Sequence, residues 1–255
     1  MKKPPENTSR YVCRQYFLEG SVYYSVYSPS GTFTKVLLTC MPIGEERNTV
    51  SRTAVMLLRK AASRGILSIL FDYPGRGESA GTASEFSLHK ASETGKAVLE
   101  KVCPEYSSLD IILLGIRSGA FTASDLQRYL QGYLLLWQPF MSGGEFLKEI
   151  RYKERIRGAI TGSRDKHAYR INGEETEPGF SEELLSRKNI LDGLDPSNVH
   201  VVQIAPVEKV LPKYRRISRR IPFSRVSCPP FWNPHENWDT SACADHTVCL
   251  LEQGE

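Results

Sequence analysis

The apolar positions of this chain gather into short unbroken runs with amphipathic stretches between them. Val36-Leu37-Leu38-Thr39-Cys40-Met41, Ile66-Leu67-Ser68-Ile69-Leu70-Phe71, Leu109-Asp110-Ile111-Ile112-Leu113-Leu114, Tyr133-Leu134-Leu135-Leu136-Trp137 and Val199-His200-Val201-Val202-Gln203-Ile204 are apolar at nearly every position. A strand carries such a run when both of its faces are covered. Between the runs the period changes. Ala54, Leu57, Leu58 and Ala61 recur at helical spacing and predict a helix over 51–64, closed by Gly65. Further helices are predicted over 87–102, 118–130 and 240–251, with a weaker strand over 223–226. Buried strands alternating with helices imply a mostly parallel sheet covered on both sides. Ahead of this pattern, Tyr16-Phe17-Leu18-Glu19-Gly20 and Val22-Tyr23-Tyr24-Ser25-Val26-Tyr27 are β-rich runs split by a glycine. They predict antiparallel strands at one edge of the sheet.

The stretch 141–197 breaks the alternation. It is charged, helical near 145–157 and 181–191, and lacks a clear buried strand. It reads as a lid-like insertion within one domain spanning 1–255. A chain of 255 residues with 40% hydrophobic content is large enough for a single sizeable core. The net charge of +4 is small, and most basic residues stand beside acids, as in Lys148-Glu149-Ile150-Arg151-Tyr152-Lys153-Glu154-Arg155. That run reads as a solvated helix face. Arg215-Arg216-Ile217-Ser218-Arg219-Arg220 holds no acid, but no interleaved aromatics or nucleic-acid motif accompany it, so no nucleic-acid partner is expected. No apolar run follows the basic start, and none approaches the roughly 18 residues of a membrane span. The six cysteines are scattered with no C-x-x-C pair, so reduced thiols, no metal site and a cytoplasmic location are expected. No cofactor motif is present.

In a parallel sheet covered by helices, ligands bind beyond the carboxyl ends of the strands. Three such ends carry informative residues. Pro42-Ile43-Gly44-Glu45-Glu46-Arg47-Asn48 leaves a buried strand with two adjacent carboxylates, which either face a ligand, cap the next helix or pair with an arginine. Asp72-Tyr73-Pro74-Gly75-Arg76-Gly77-Glu78-Ser79 is a tight turn that frames a site and lacks dinucleotide-binding spacing. Leu114-Gly115-Ile116-Arg117-Ser118-Gly119-Ala120 joins a strand to a helix with glycines two positions either side of Arg117. That is the spacing of the G-x-S-x-G nucleophile elbow, with arginine at its centre.

The order of hairpin, buried strand, Asp-x-x-Gly-x-Gly-x-Ser turn and elbow resembles the α/β-hydrolases of the serine-aminopeptidase-like type. More narrowly, the 42–48 and 114–120 segments, Leu135-Leu136-Trp137-Gln138-Pro139 and Pro229-Pro230-Phe231-Trp232 resemble the exosortase A system-associated hydrolases, a group linked to bacterial exopolysaccharide loci. The resemblance covers most of residues 15–240. It implies an α/β-hydrolase fold and acyl or ester chemistry, and no particular substrate.

A working triad needs a nucleophile, a base and an acid that orients the base, in that chain order in this fold. Guanidinium stays protonated and cannot attack a carbonyl. Ser118, one residue on, is the candidate nucleophile of a shifted elbow. Glu208 follows the strand that ends at Ile204 and is the candidate acid. His235 lies just past the position expected for the base, while His246 is expected on a helix surface. Two readings stay open. One is an acyl- or ester-type hydrolase or transferase working through Ser118, Glu208 and His235 on a small-molecule or acyl substrate with an anionic group. The other is a non-catalytic hydrolase-fold protein. There, the protein binds either an anionic ligand, at a corner formed by Arg117 with Glu45, Glu46 and Asn48, or a partner in a polysaccharide or export pathway; the competing use of Arg117 is an internal ion pair with Glu45 or Glu46. Whether the chain is an enzyme, and its oligomeric state, cannot be read from the sequence.

Overall fold

The computed structural model describes residues 11–161, 170–171, 174–175, 179–233 and 238–253. Strands β1 (Tyr11–Leu18), β2 (Val22–Pro29) and β3 (Lys35–Cys40) are followed by helix α1 (Glu46–Ala62). The chain continues through β4 (Leu67–Phe71), α2 (Leu88–Val102), β5 (Asp110–Ile116), α3 (Gly119–Leu130) and β6 (Tyr133–Trp137). Next come α4 (Gly143–Thr161), the two-residue strands β7 (Arg170–Ile171) and β8 (Glu174–Glu175), and α5 (Phe180–Ser186). Strands β9 (Val199–Ile204) and β10 (Phe223–Val226) and helix α6 (Ser241–Gln253) complete the order.

Eight strands form one sheet in the order β1-β2-β4-β3-β5-β6-β9-β10. The six strands from β4 to β10 in that order run parallel, and β1 and β2 are antiparallel at one edge, as the sequence pattern predicts. The unbroken apolar runs follow from this placement. Leu37, Leu57, Leu114 and Val202 belong to a core on the side of α1 and α6. Val36, Leu38, Leu113 and Val201 belong to a second core on the side of α2 and α3.

The described part of segment 141–197 is anchored to the second core. Phe146, Ile150, Phe180, Leu184 and Ile190 all belong to it, so α4 and α5 bury an apolar side. Gly143 has no room for a side chain, because an added Cβ would lie 1.8 Å from the Leu184 carbonyl oxygen. Among the described residues, no helix is long and apolar enough to cross a membrane.

Candidate functional site

The turn between β5 and α3 has elbow geometry. Arg117 sits at φ 54°, in the left-handed region that side chains rarely adopt. Such a conformation persists where the surroundings over-determine it. Here the Arg117 N–H donates to the Trp137 carbonyl at 2.9 Å. The flanking glycines are needed for packing. A Cβ at Gly119 would lie 2.2 Å from the Cys40 carbonyl oxygen, and one at Gly115 would lie 2.7 Å from Ala120 Cα.

The guanidinium occupies the space above this turn and is 3% exposed. Its Nε donates to Glu46 Oε2 and its Nη2 to Glu46 Oε1, both at 3.2 Å. Nη2 also donates to Glu149 Oε1 at 2.7 Å, and Nη1 to the Gln138 carbonyl at 3.3 Å. Lys153 bonds Glu46 at 2.8 Å and pairs with Glu149 at 3.0 Å. Two cations and two carboxylates thus form a closed, electroneutral group. Aromatic rings cover it: the guanidinium carbon lies 4.2 Å from the Phe140 centroid and 4.6 Å from that of Trp232.

The electrostatics follow from this geometry. Burial alone would lower the pKa of Arg117, but Glu46 and Glu149 outweigh it and the net shift is upward. Burial alone would raise that of Glu46, but Arg117 and Lys153 hold it below the usual carboxylate value. A carboxylate so held is a poor proton acceptor.

The expected site residues fall in different places. Glu46, the first residue of α1, is a partner of Arg117, whereas Glu45 just before it and Asn48 in the first turn of α1 are exposed. Ser118 is fully buried, and its Oγ accepts the Ile43 N–H at 2.9 Å. Glu208 is exposed on the loop after β9, and no hydrogen bond or ion pair joins it to Ser118. His235 lies outside the described residues. Trp232, from the loop after β10 where the base is expected, lies over Arg117.

The charged run 148–155 is not the uniformly solvated face that its composition suggests. Glu149 and Lys153 turn toward Arg117, while Lys148, Arg151 and Arg155 are exposed. The signal available in the sequence was the apolar stripe Phe146, Leu147 and Ile150, which marks the buried side of α4 and is flanked by both residues.

The Asp72 turn frames this region and is closed on itself. Asp72 pairs with Arg47 and accepts the Glu78 N–H at 2.9 Å, and Ser79 Oγ donates to the Asp72 carbonyl at 3.0 Å. A Cβ at Gly77 would lie 2.1 Å from Asp72 Oδ2.

No protein-family model matches the sequence, and no curated protein matches it either. Solved structures do. A thermostable carboxyl esterase from Bacillus coagulans is 13% identical, with 95% of this chain and 97% of that one covered and a TM-score of 0.61. An alpha-beta serine hydrolase homologue from Coxiella burnetii is 17% identical, with 94% and 95% covered and a TM-score of 0.55. A sugar hydrolase from Lactococcus lactis is 14% identical, with 95% and 98% covered and a TM-score of 0.55. At such identities the likeness carries the fold and no activity. Sheet order, elbow and structural neighbours agree that this chain has the α/β-hydrolase fold.

Proposed function

We propose that this chain is a cytoplasmic, non-catalytic α/β-hydrolase-fold protein that works by binding. The observation that carries this reading is the position of the Arg117 side chain. It fills the place of an elbow nucleophile and is bonded there to Glu46 and Glu149. The charges cancel within the group, so the corner offers no net charge to an anionic ligand, and Arg117 acts as a strut between the elbow and α4. Glu45 and Asn48 then have no part in an anion site. The resemblance to exosortase A system-associated hydrolases suggests where a partner belongs, in bacterial polysaccharide export.

The competing acyl-transfer reading would need Ser118 Oγ to leave the Ile43 N–H and reach a base. That N–H lies on the loop after β3, which supplies one oxyanion donor in working hydrolases. Ser118 therefore ties up a group that turnover would require. The test is a fluorophosphonate probe read by mass spectrometry, beside hydrolysis of p-nitrophenyl butyrate. The expected outcome is no adduct on Ser118 and no hydrolysis above that of Ser118→Ala. An adduct on Ser118 that Ser118→Ala abolishes would overturn the proposal.

A further inference from the structure

A second group of chemistry-bearing side chains lies at the opposite end of the sheet. His200 on β9 and His246 on α6 both reach Ser224 on β10. His200 Nε2 lies 2.9 Å from Ser224 Oγ, and His246 Nε2 lies 2.8 Å from it. His246 is thus half-buried and bonded, not on the helix surface as the sequence suggests. A hydroxyl has one proton to give. One imidazole therefore accepts from Ser224 while the other donates to it, an arrangement that two neutral rings can make. Burial, with His246 adding, pushes the His200 pKa down to about 4, and burial lowers that of His246. Neither ring carries charge near neutral pH.

His200 also lines a groove of about 730 Å³ at the amino ends of β3, β5 and β6, beside the last turns of α6. That volume lies in the range of small-molecule sites. Ile112, Leu130, Leu135 and Leu250 supply apolar wall. Lys35 and Asp110 line it too, with opposite charges, and Lys35 Nζ donates to the Leu251 carbonyl at 3.1 Å. One cation, one anion and a neutral imidazole leave the groove without net charge. Ser224, itself bonded to His246, holds the His200 ring by Nε2, and Nδ1 has no protein partner among the described residues.

We propose that this groove binds a neutral, mostly apolar molecule carrying one hydroxyl, and that His200 recognises the hydroxyl. The apolar walls take the body of the ligand, and the balanced charges give no advantage to an ion. In the tautomer where His200 Nε2–H donates to Ser224 Oγ, Nδ1 is a bare acceptor, and the ligand hydroxyl donates to it. The site is remote from the elbow and does not rest on the reading of Arg117.

Calorimetry on the full chain with 4-hexylphenol and its methyl ether, 4-hexylanisole, tests this. The phenol is expected to bind, and the ether about tenfold more weakly for want of a donor. His200→Phe should bring the phenol down to the ether's affinity while leaving the ether unchanged. Ser107→Trp, at an exposed position lining the groove, should weaken both compounds. Ser224→Ala, which unties the His200 ring, should narrow the phenol–ether ratio and serves where His200→Phe fails to fold by circular dichroism. No binding of the phenol up to its solubility limit overturns the proposal. Equal affinities for the two compounds remove His200 as the recognising group, and binding untouched by Ser107→Trp removes the groove.

Discussion

The two ends of the sheet handle polar chemistry in opposite ways. At the carboxyl end, Arg117, Glu46, Glu149 and Lys153 are used up in ion pairs with one another, and Arg117 lies against two aromatic rings. At the amino end, His200, Ser224 and His246 are uncharged, and His200 lines an open groove. A polar group can recognise a ligand only if it keeps bonding capacity that the protein has not already consumed. On the proposed reading, the end that does chemistry in working hydrolases is structural here, and bonding capacity is kept at His200 at the opposite end.

The largest expected effect breaks the carboxyl-end group. Arg117→Ala leaves Glu46, 4% exposed, with Lys153 as its remaining cationic partner, and should cost about 3 kcal/mol in urea denaturation. Arg117→Met with Glu46→Leu removes both charges together and should recover most of that loss, because an apolar replacement of a buried pair is often neutral. Were Arg117→Ala to cost under about 1 kcal/mol, Arg117 would not be holding this end together.

Ser118→Ala is the next test. It strips the Ile43 N–H of its acceptor and should cost about 1–2 kcal/mol, read in the same denaturation experiment.

The amino end should respond to pH instead. The unfolded chain carries an ordinary histidine near 6.5, and the folded His200 titrates at about 4. Between these values the unfolded state binds more protons, so this contribution to stability is present above pH 6.5 and lost as pH falls toward 4. His200→Phe should flatten the melting temperature against pH across that window. A variant with the slope of the parent would remove His200 as its source. The smallest effect belongs to neither end. Arg64–Glu252 links the turn after α1 to α6 through exposed side chains, and Arg64→Ala should change stability by less than about 0.5 kcal/mol.

The strands were legible because burial on both faces writes itself into a run of apolar residues. The 133–137 and 199–204 runs coincide with β6 and β9, and the weaker 223–226 signal with the edge strand β10. The start of α1 was not legible. The helix begins at Glu46 rather than at residue 51, because the polar run Glu46-Arg47-Asn48-Thr49 hides its first turn. That first turn is what delivers Glu46 to Arg117. Glycine spacing revealed the tight turn between β5 and α3, where a side chain at Gly115 or Gly119 would clash with Ala120 or Cys40. The partners of Arg117 come from 71 and 32 residues away, and no local pattern encodes such distances. The His200–Ser224–His246 group was hidden for the same reason: its three members stand on β9, β10 and α6.

The clasp between α4 and the elbow also bears on how the molecule opens. A helix held only by apolar contacts can lift away as an independent unit. Glu149 and Lys153 instead tie α4 to Arg117 at the head of α3 and to Glu46 at the head of α1. Lifting α4 would strand buried charge on Arg117 and Glu46, so the opening of this segment is energetically coupled to the loss of both helix starts. Backbone amides near Glu149 should then exchange with deuterium in step with those of the elbow, as one cooperative unit.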